Sequence, residues 1–413
     1  MLTAEIIAVG SELLTPDKID TNSLWLTERL NAVGIDVMLK TVVGDDEARL
    51  EEAIRHALKR CEVVVMTGGL GPTEDDITRR VAARALDREL EYRDEIEADL
   101  RERFRRWGRE MPEINKRQAF IIEGSRVLPN PNGSAVGMLF ESNGKTIVIL
   151  PGPPRELKPM FDDHVFPHLL DRPGAVIARR RIIKVSGMGE SAVDAAIADI
   201  YRSIEGLETS ILFNKSEVEV RLAARAETEQ KADAILENAA GKIAAALGPA
   251  VFSTQGESLE EVLGKLLRSR SETLSLAESC TGGMVARRIT EVPGSSAYFL
   301  EGAVTYANEA KMRTLNLSPG TLERHGAVSG EAAEAMARGM RERTASDHAV
   351  SITGIAGPGG GSEEKPVGTV WIGYAGERGV RSFKLLLPGD RYLIRWRASS
   401  AALDYLRRQL LKA

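Results

Sequence analysis

Ser279, Cys280 and Thr281 stand side by side within residues 273–289, immediately before Gly282 and Gly283. The residues leading to Glu278 alternate apolar with small or polar types, which predicts a short strand, and residues 284–289 have the pattern of a first helical turn. A nucleophile on such a strand-to-helix turn projects from the sheet edge. The free N–H groups of the new helix can there stabilise developing negative charge. The same residues also suit a capped helix with an inward-packed cysteine, because Ser and Thr are common N-caps. Partners elsewhere in the chain must decide.

Four later segments supply them: residues 302–311, ending in Lys311; residues 325–329, beginning with His325; residues 351–371, which contain a glycine-rich run from Gly354; and residues 388–391, ending in Arg391. Amide hydrolysis needs a nucleophile, a base and donors for the tetrahedral oxyanion. A glycine-rich loop offers backbone donors and close approach to a phosphate. Arg391 can complete such a pocket as a bidentate clamp, with Arg395 one helical turn further on as the alternative. In order, these segments resemble the C-terminal domain of the CinA (competence/damage-inducible) family, the PncC-type nicotinamide mononucleotide deamidases, from Leu259 to the end of the chain. The resemblance implies Ser279 as nucleophile and Lys311 as its partner, with Tyr306 positioning the lysine or sharing its proton. Thr281, Gly282, Gly283, Thr353, Gly354, Gly357 and Arg391 would bind substrate. A serine–lysine pair needs a lysine well below its free value of about 10.4, which burial or a cationic neighbour achieves. This chemistry calls for no cofactor. The rival within the same site is Cys280 as nucleophile with His325 as base.

A second candidate is the loop Thr67-Gly-Gly-Leu-Gly-Pro-Thr-Glu-Asp-Asp76, set between an apolar strand and a helix. Its glycines allow close backbone approach and the helix start favours anions. It matches neither a P-loop nor a dinucleotide fingerprint. Asp75 and Asp76 would repel a bare phosphate but suit a hard divalent cation bridging carboxylate and phosphate; alone, they also read as helix-capping carboxylates. With Gly10-Ser-Glu-Leu-Leu, Asp20-Thr-Asn22, Gly44-Asp-Asp46, Asn115-Lys-Arg-Gln-Ala119, Pro129-Asn-Pro-Asn-Gly-Ser-Ala135 and Pro151-Gly-Pro-Pro, the loop resembles the molybdopterin-binding fold of the MogA/MoaB type, as in the N-terminal domain of the same family. The resemblance covers residues 2–170 and implies metal-dependent hydrolysis of ADP-ribose to AMP and ribose 5-phosphate. It implies Asp45 and Asp76, with Glu12, as ligands of a divalent cation such as magnesium, and Gly68, Gly69, Gly71 and Asn22 as substrate contacts. Molybdopterin binding, an inactive scaffold and an interaction role in competence are the alternatives.

The elements that must position these residues follow from periodicity. Strands at residues 5–9, 36–43, 63–66 and 146–150 alternate with helices beginning near Asp20, Asp46 and Ile77, an α/β layer pattern. The expected fold class is α/β: an N-terminal molybdopterin-binding-like three-layer domain over residues 1–171, a small βαββα domain over 172–252, and a C-terminal α/β deamidase domain over 253–413. Residues 171–174 and 253–257 mark the boundaries. The densely charged stretch 86–110 interleaves acids and arginines and is expected to form a solvated helical face.

A net charge of −5 argues against a dedicated nucleic-acid binder. The two cysteines, Cys61 and Cys280, have no disulfide or metal spacing and suit a reducing compartment. No signal peptide or membrane span is apparent, so a cytoplasmic protein acting on small nucleotides is expected. The resemblance adds a homodimer.

Overall fold

Alternate residues of the first strand feed two different cores. Along Thr3–Val9, Ala4 and Ile6 join one buried cluster while Ile7 and Val9 join another. Val63–Thr67 repeats the alternation and is buried throughout, as an apolar strand covered on both faces must be. The sheet runs in the order Asp36–Val43, Thr3–Val9, Val63–Thr67, Lys145–Leu150, Gly137–Ser142, Arg126–Leu128. The first four strands are parallel and the last two antiparallel. Helix Thr21–Ala32 packs Leu26 and Leu30 on one face; Glu47–Arg60 packs Leu50, Ile54 and Ala57 on the other, giving three layers. Parallel strands direct their C-terminal ends, and the loops that follow them, to one edge of the sheet. Gly68 begins one of these loops at φ 101°, and a Cβ there would lie 2.1 Å from the Val9 carbonyl oxygen, so only glycine fits.

A computed structural model describes residues 2–172 and 176–412 of the chain. Pro173 and Gly174, part of the expected first boundary, lie outside the described residues. The chain separates into two compact units, Met1–Arg179 with Arg225–Asp233, and Arg180–Ala224 with Ala234–Ala413. The charged stretch forms strand Leu90–Tyr92 and helix Asp94–Arg106, whose Arg101–Glu97, Arg103–Asp99 and Arg106–Glu102 pairs line a solvated surface. Among the described residues, no helix is long and apolar enough to cross a membrane.

In the middle of the chain, strand Ile177–Ser186, helix Glu190–Arg202, strands Leu207–Asn214 and Glu217–Ala226, and helix Glu229–Leu247 realise the expected βαββα order. A short strand, Val251–Ser253, adds to this sheet antiparallel to Ile177–Ser186.

The C-terminal sheet has the order Phe299–Val304, Leu274–Glu278, His348–Gly354, Thr369–Gly376, Gly379–Leu386. Its first three strands are parallel and the other two antiparallel. One face carries Leu274, Leu276, Val350, Ile352, Val370 and Ile372 against helices Leu259–Arg270 and Arg391–Leu410. The other presents Ala277, Ala349 and Ala375 to helix Gly330–Thr344. Small residues let that helix come close: a Cβ on Gly373 would lie 2.3 Å from the Ala333 carbonyl oxygen. Helix Leu259–Arg270 opens with a capping box between Ser258 and Glu261.

Candidate active site

Strand Leu274–Glu278 is wholly buried and ends at the expected turn. Ser279 stays tied to the sheet through its N–H, which donates to the Ile352 carbonyl at 2.9 Å. Gly282 and Gly283 then take φ values of 60° and 88°, reversing the chain into helix Met284–Thr290. Glu278, fully buried, accepts from the N–H groups of Val285 at 3.1 Å and Ala286 at 2.8 Å. The sequence missed this carboxylate. It corrects the expectation that the first helical amides are free for an oxyanion, because two of them are already spent. Among the described residues, the amides of Thr281 and Gly283 meet no acceptor, and these remain for that task. The buried Thr281 hydroxyl likewise has no partner.

Lys311 enters from helix Asn308–Leu315 and is 1 % exposed. Its Nζ lies 3.1 Å from Ser279 Oγ, 2.9 Å from the Thr305 carbonyl oxygen and 3.1 Å from that of Tyr306. A neutral amine has two N–H donors and one lone pair. Two carbonyls and one hydroxyl oxygen accept three ammonium donors, and they equally suit this neutral inventory once the hydroxyl turns to donate to the lone pair. Burial favours the neutral state by holding the lysine below its ordinary value. Tyr306 positions the lysine through its carbonyl, not its phenol. Strand Phe299–Val304 ends two residues before Tyr306, whose side chain is exposed, its hydroxyl accepting from Arg391 at 3.0 Å. Sharing of the lysine's proton by that phenol is therefore corrected.

The two arginines divide the work. Arg391 donates to the Gly357 carbonyl at 2.7 Å and so ties the glycine-rich loop to Tyr306. Arg395 donates to the Thr281 carbonyl at 2.6 Å, and its buried Nε has no partner, placing it against the nucleophile turn. Thr353 is committed to the Ala327 carbonyl, and a Cβ on Gly354 would press within 2.8 Å of the Thr369 carbonyl oxygen. Both are thus frame residues here, against the expectation of substrate contacts. The Cys280 thiol is buried and pushed up to about 12 by that burial. His325 lies 3.4 Å from Glu331, not against Cys280, so the cysteine–histidine pair is not assembled.

In the N-terminal unit, a cleft of about 690 Å³ opens over the strand ends, lined by Glu12, Asn22, Asp45, Gly68, Gly69, Gly71, Asp75 and Asp76 among others. Asn22 donates to the Gly152 carbonyl at 2.6 Å and leaves its own amide oxygen buried and unpartnered. Asp76 braces the glycine loop: one oxygen accepts from the Gly71 N–H at 2.8 Å, the other from the Thr73 N–H and hydroxyl at 2.9 and 2.6 Å. Asp45 accepts from the Ser11 N–H at 3.0 Å. Among the described residues, no three His, Cys, Asp or Glu side chains converge closely enough to hold a metal ion. The expected substrate residues share one cleft, but Asp45, Asp76 and Glu12 do not form a cation cage, since the loop's own donors already balance Asp76.

Three families match in sequence: the "Probable molybdopterin binding domain" over residues 5–171, the "Damage-inducible protein CinA KH domain" over 180–253 and the "CinA C-terminal domain" over 256–410. The chain is 48% identical to a CinA-like protein of Solibacter usitatus, covering 99% of this chain and 98% of that one. It is 46% identical to a CinA-like protein of Koribacter versatilis, covering 99% and 100%. A solved competence-damaged protein (CinA) superfamily structure from Escherichia coli is 34% identical over 37% of this chain and 88% of its own, with a TM-score of 0.36. Likeness sustained from end to end settles the kinship: the chain belongs to the CinA family, with a molybdopterin-binding-like domain, a KH-like middle domain and a C-terminal CinA domain.

Proposed function

We propose that the C-terminal domain is an amidohydrolase converting nicotinamide mononucleotide and water to nicotinate mononucleotide and ammonia. The observation that carries this is the buried Lys311 amine 3.1 Å from Ser279 Oγ, its other two contacts being carbonyl oxygens. Ser279 Oγ attacks the carboxamide carbon as its proton passes to Lys311. The Thr281 and Gly283 amides supply donors for the resulting oxyanion. Lys311 then returns the proton to the amide nitrogen, the C–N bond breaks, and ammonia leaves an ester on Ser279. Water attacks that ester while Lys311 accepts one of its protons, which passes to the departing Ser279 Oγ; the acid released loses its remaining proton to solvent and leaves as the carboxylate. Arg391 and the glycine-rich loop are the natural seat of the nucleotide phosphate, once that anion replaces the Gly357 carbonyl and the Tyr306 hydroxyl as Arg391's acceptors.

The N-terminal cleft supports a second activity within the same reading, hydrolysis of ADP-ribose to AMP and ribose 5-phosphate. Its volume of about 690 Å³ falls in the range of small-molecule sites, and the Gly68–Gly69 turn offers a phosphate close backbone approach. Both substrates arise where NAD is consumed.

Incubating the purified protein with each nucleotide, with and without a divalent-metal chelator, tests both halves. Ammonia from nicotinamide mononucleotide in either condition supports the deamidase; its absence in both removes it. AMP from ADP-ribose supports the second activity, and the chelator arm reads whether a divalent cation enters with the substrate. No cleavage leaves the cleft to molybdopterin binding or a scaffold role.

A further inference from the structure

Arg79 is 5 % exposed and sits in the first turn of helix Thr78–Ala85, directly behind the glycine loop. Its guanidinium donates to two backbone carbonyls, Arg117 at 3.1 Å and Leu70 at 3.0 Å, while its buried Nε has no partner. Among the described residues, no carboxylate forms an ion pair with it within 4.0 Å. The Asp76 carboxylate acts on it from beyond that distance, and carbonyl dipoles replace the rest of its lost hydration only in part. Burial lowers its pKa to about 10, which still leaves it charged at neutral pH.

Three further facts converge on the same spot. A cavity of about 360 Å³ is lined by Arg79, Arg80 and Arg117, with Glu74 and Asp76 as its two acids. The helix start has no side-chain cap, and among the described residues the amides of Arg79 and Arg80 meet no acceptor. The other two arginines are neutralised by movable surface carboxylates: Glu47 on Arg80, and Glu74, whose side chain is 80% exposed, on Arg117. Asp76 turns both oxygens to Gly71 and Thr73, and its repulsion of a phosphate is offset by the charge of Arg79 beside it, leaving the charges of Arg80 and Arg117 for the anion.

We infer that this cavity is a phosphate site, adjoining the larger cleft at Gly71 and Asp76, in which Arg79, Arg117 and the helix-start amides hold the anion after Glu74 swings away. The ligand is a phosphate group, either the free ion or a small phosphate monoester. The inference does not depend on the proposed activity of either domain.

Calorimetric titration of the full chain with inorganic phosphate and, separately, ribose 5-phosphate, at constant chloride, tests it. A saturable site is expected, weakened about tenfold or more in Arg117→Gln, which removes one charge-assisted contact at a half-exposed position that folding should tolerate. Arg79→Lys should weaken it similarly by losing the fork, and Asn22→Ala in the neighbouring cleft should leave it unchanged. Within the component of binding that Arg117→Gln weakens, tighter ribose 5-phosphate assigns a monoester and tighter inorganic phosphate assigns the free ion. No saturation of either ligand by about 10 mM overturns the inference, as does binding indifferent to Arg117→Gln or abolished by Asn22→Ala.

Discussion

Lys311→Met tests the proposed proton path. The stem of Lys311 is buried at 1 % exposure, so methionine fills much of the same channel while removing the amine beside Ser279 Oγ. Loss of a positioned general base costs roughly 10²–10⁴-fold, about 3–5 kcal/mol of barrier. Because this amine serves both attack and departure, the upper end, ~10⁴-fold in kcat/KM, is expected. Lys311→Arg should fare no better, since a guanidinium remains protonated. Ammonia release from nicotinamide mononucleotide across pH supplies the assay. In the native protein, log kcat/KM should climb about one unit per pH unit up to the burial-lowered Lys311 value and then level off. Stability gives an independent readout. The folded-state value is lowered, so between it and the ordinary lysine value the unfolded chain binds more protons, and stability should rise with pH across that window. The rise should be missing in Lys311→Met. Activity of Lys311→Met within about tenfold of native, or an unchanged ascending limb in the variant, refutes the reasoning.

Cys280→Ala should retain activity within about twofold, because a thiol near 12 is almost entirely protonated at neutral pH; steady-state ammonia release checks this. Glu278→Gln leaves one of the Val285 and Ala286 amides facing a donor, which should cost about 1–3 kcal/mol in denaturant melts and lower kcat more than it changes KM. Gly339→Ala should lower stability by about 1–3 kcal/mol despite alanine's better helix propensity, since its Cβ would fall 1.9 Å from the Leu315 carbonyl oxygen. Calorimetric melting would reveal it.

What could be read from the sequence divides along a physical line. The strands were legible because burial on one or both faces leaves a periodic trace, as in Thr3–Val9 and Val63–Thr67. The pairing of Ser279 with Lys311 was legible only through the family resemblance that their segments carry, and the structure brings them within 3.1 Å. Contacts to backbone carbonyls leave no such trace. The Thr305 and Tyr306 carbonyls that hold Lys311, and the Thr281 carbonyl that holds Arg395, could not have been named from residue types. For the same reason residue type points to the Tyr306 phenol, although its carbonyl makes the contact. Glu278 left one usable signal, an acid just ahead of a helix start, where carboxylates are favoured. Asp76 shows the opposite failure. An acid at a strand end is equally a ligand or a loop brace, and its three local donors decide for the brace.

The proposed deamidase stands or falls with attack on an amide by Ser279, activated by Lys311. Ammonia release from nicotinamide mononucleotide by Ser279→Ala, in the presence of a chelator and beside the native protein, tests it most directly. Chelator-insensitive release by the native protein is expected, with a loss of about 10³-fold or more in the variant. Undiminished release by Ser279→Ala would contradict it.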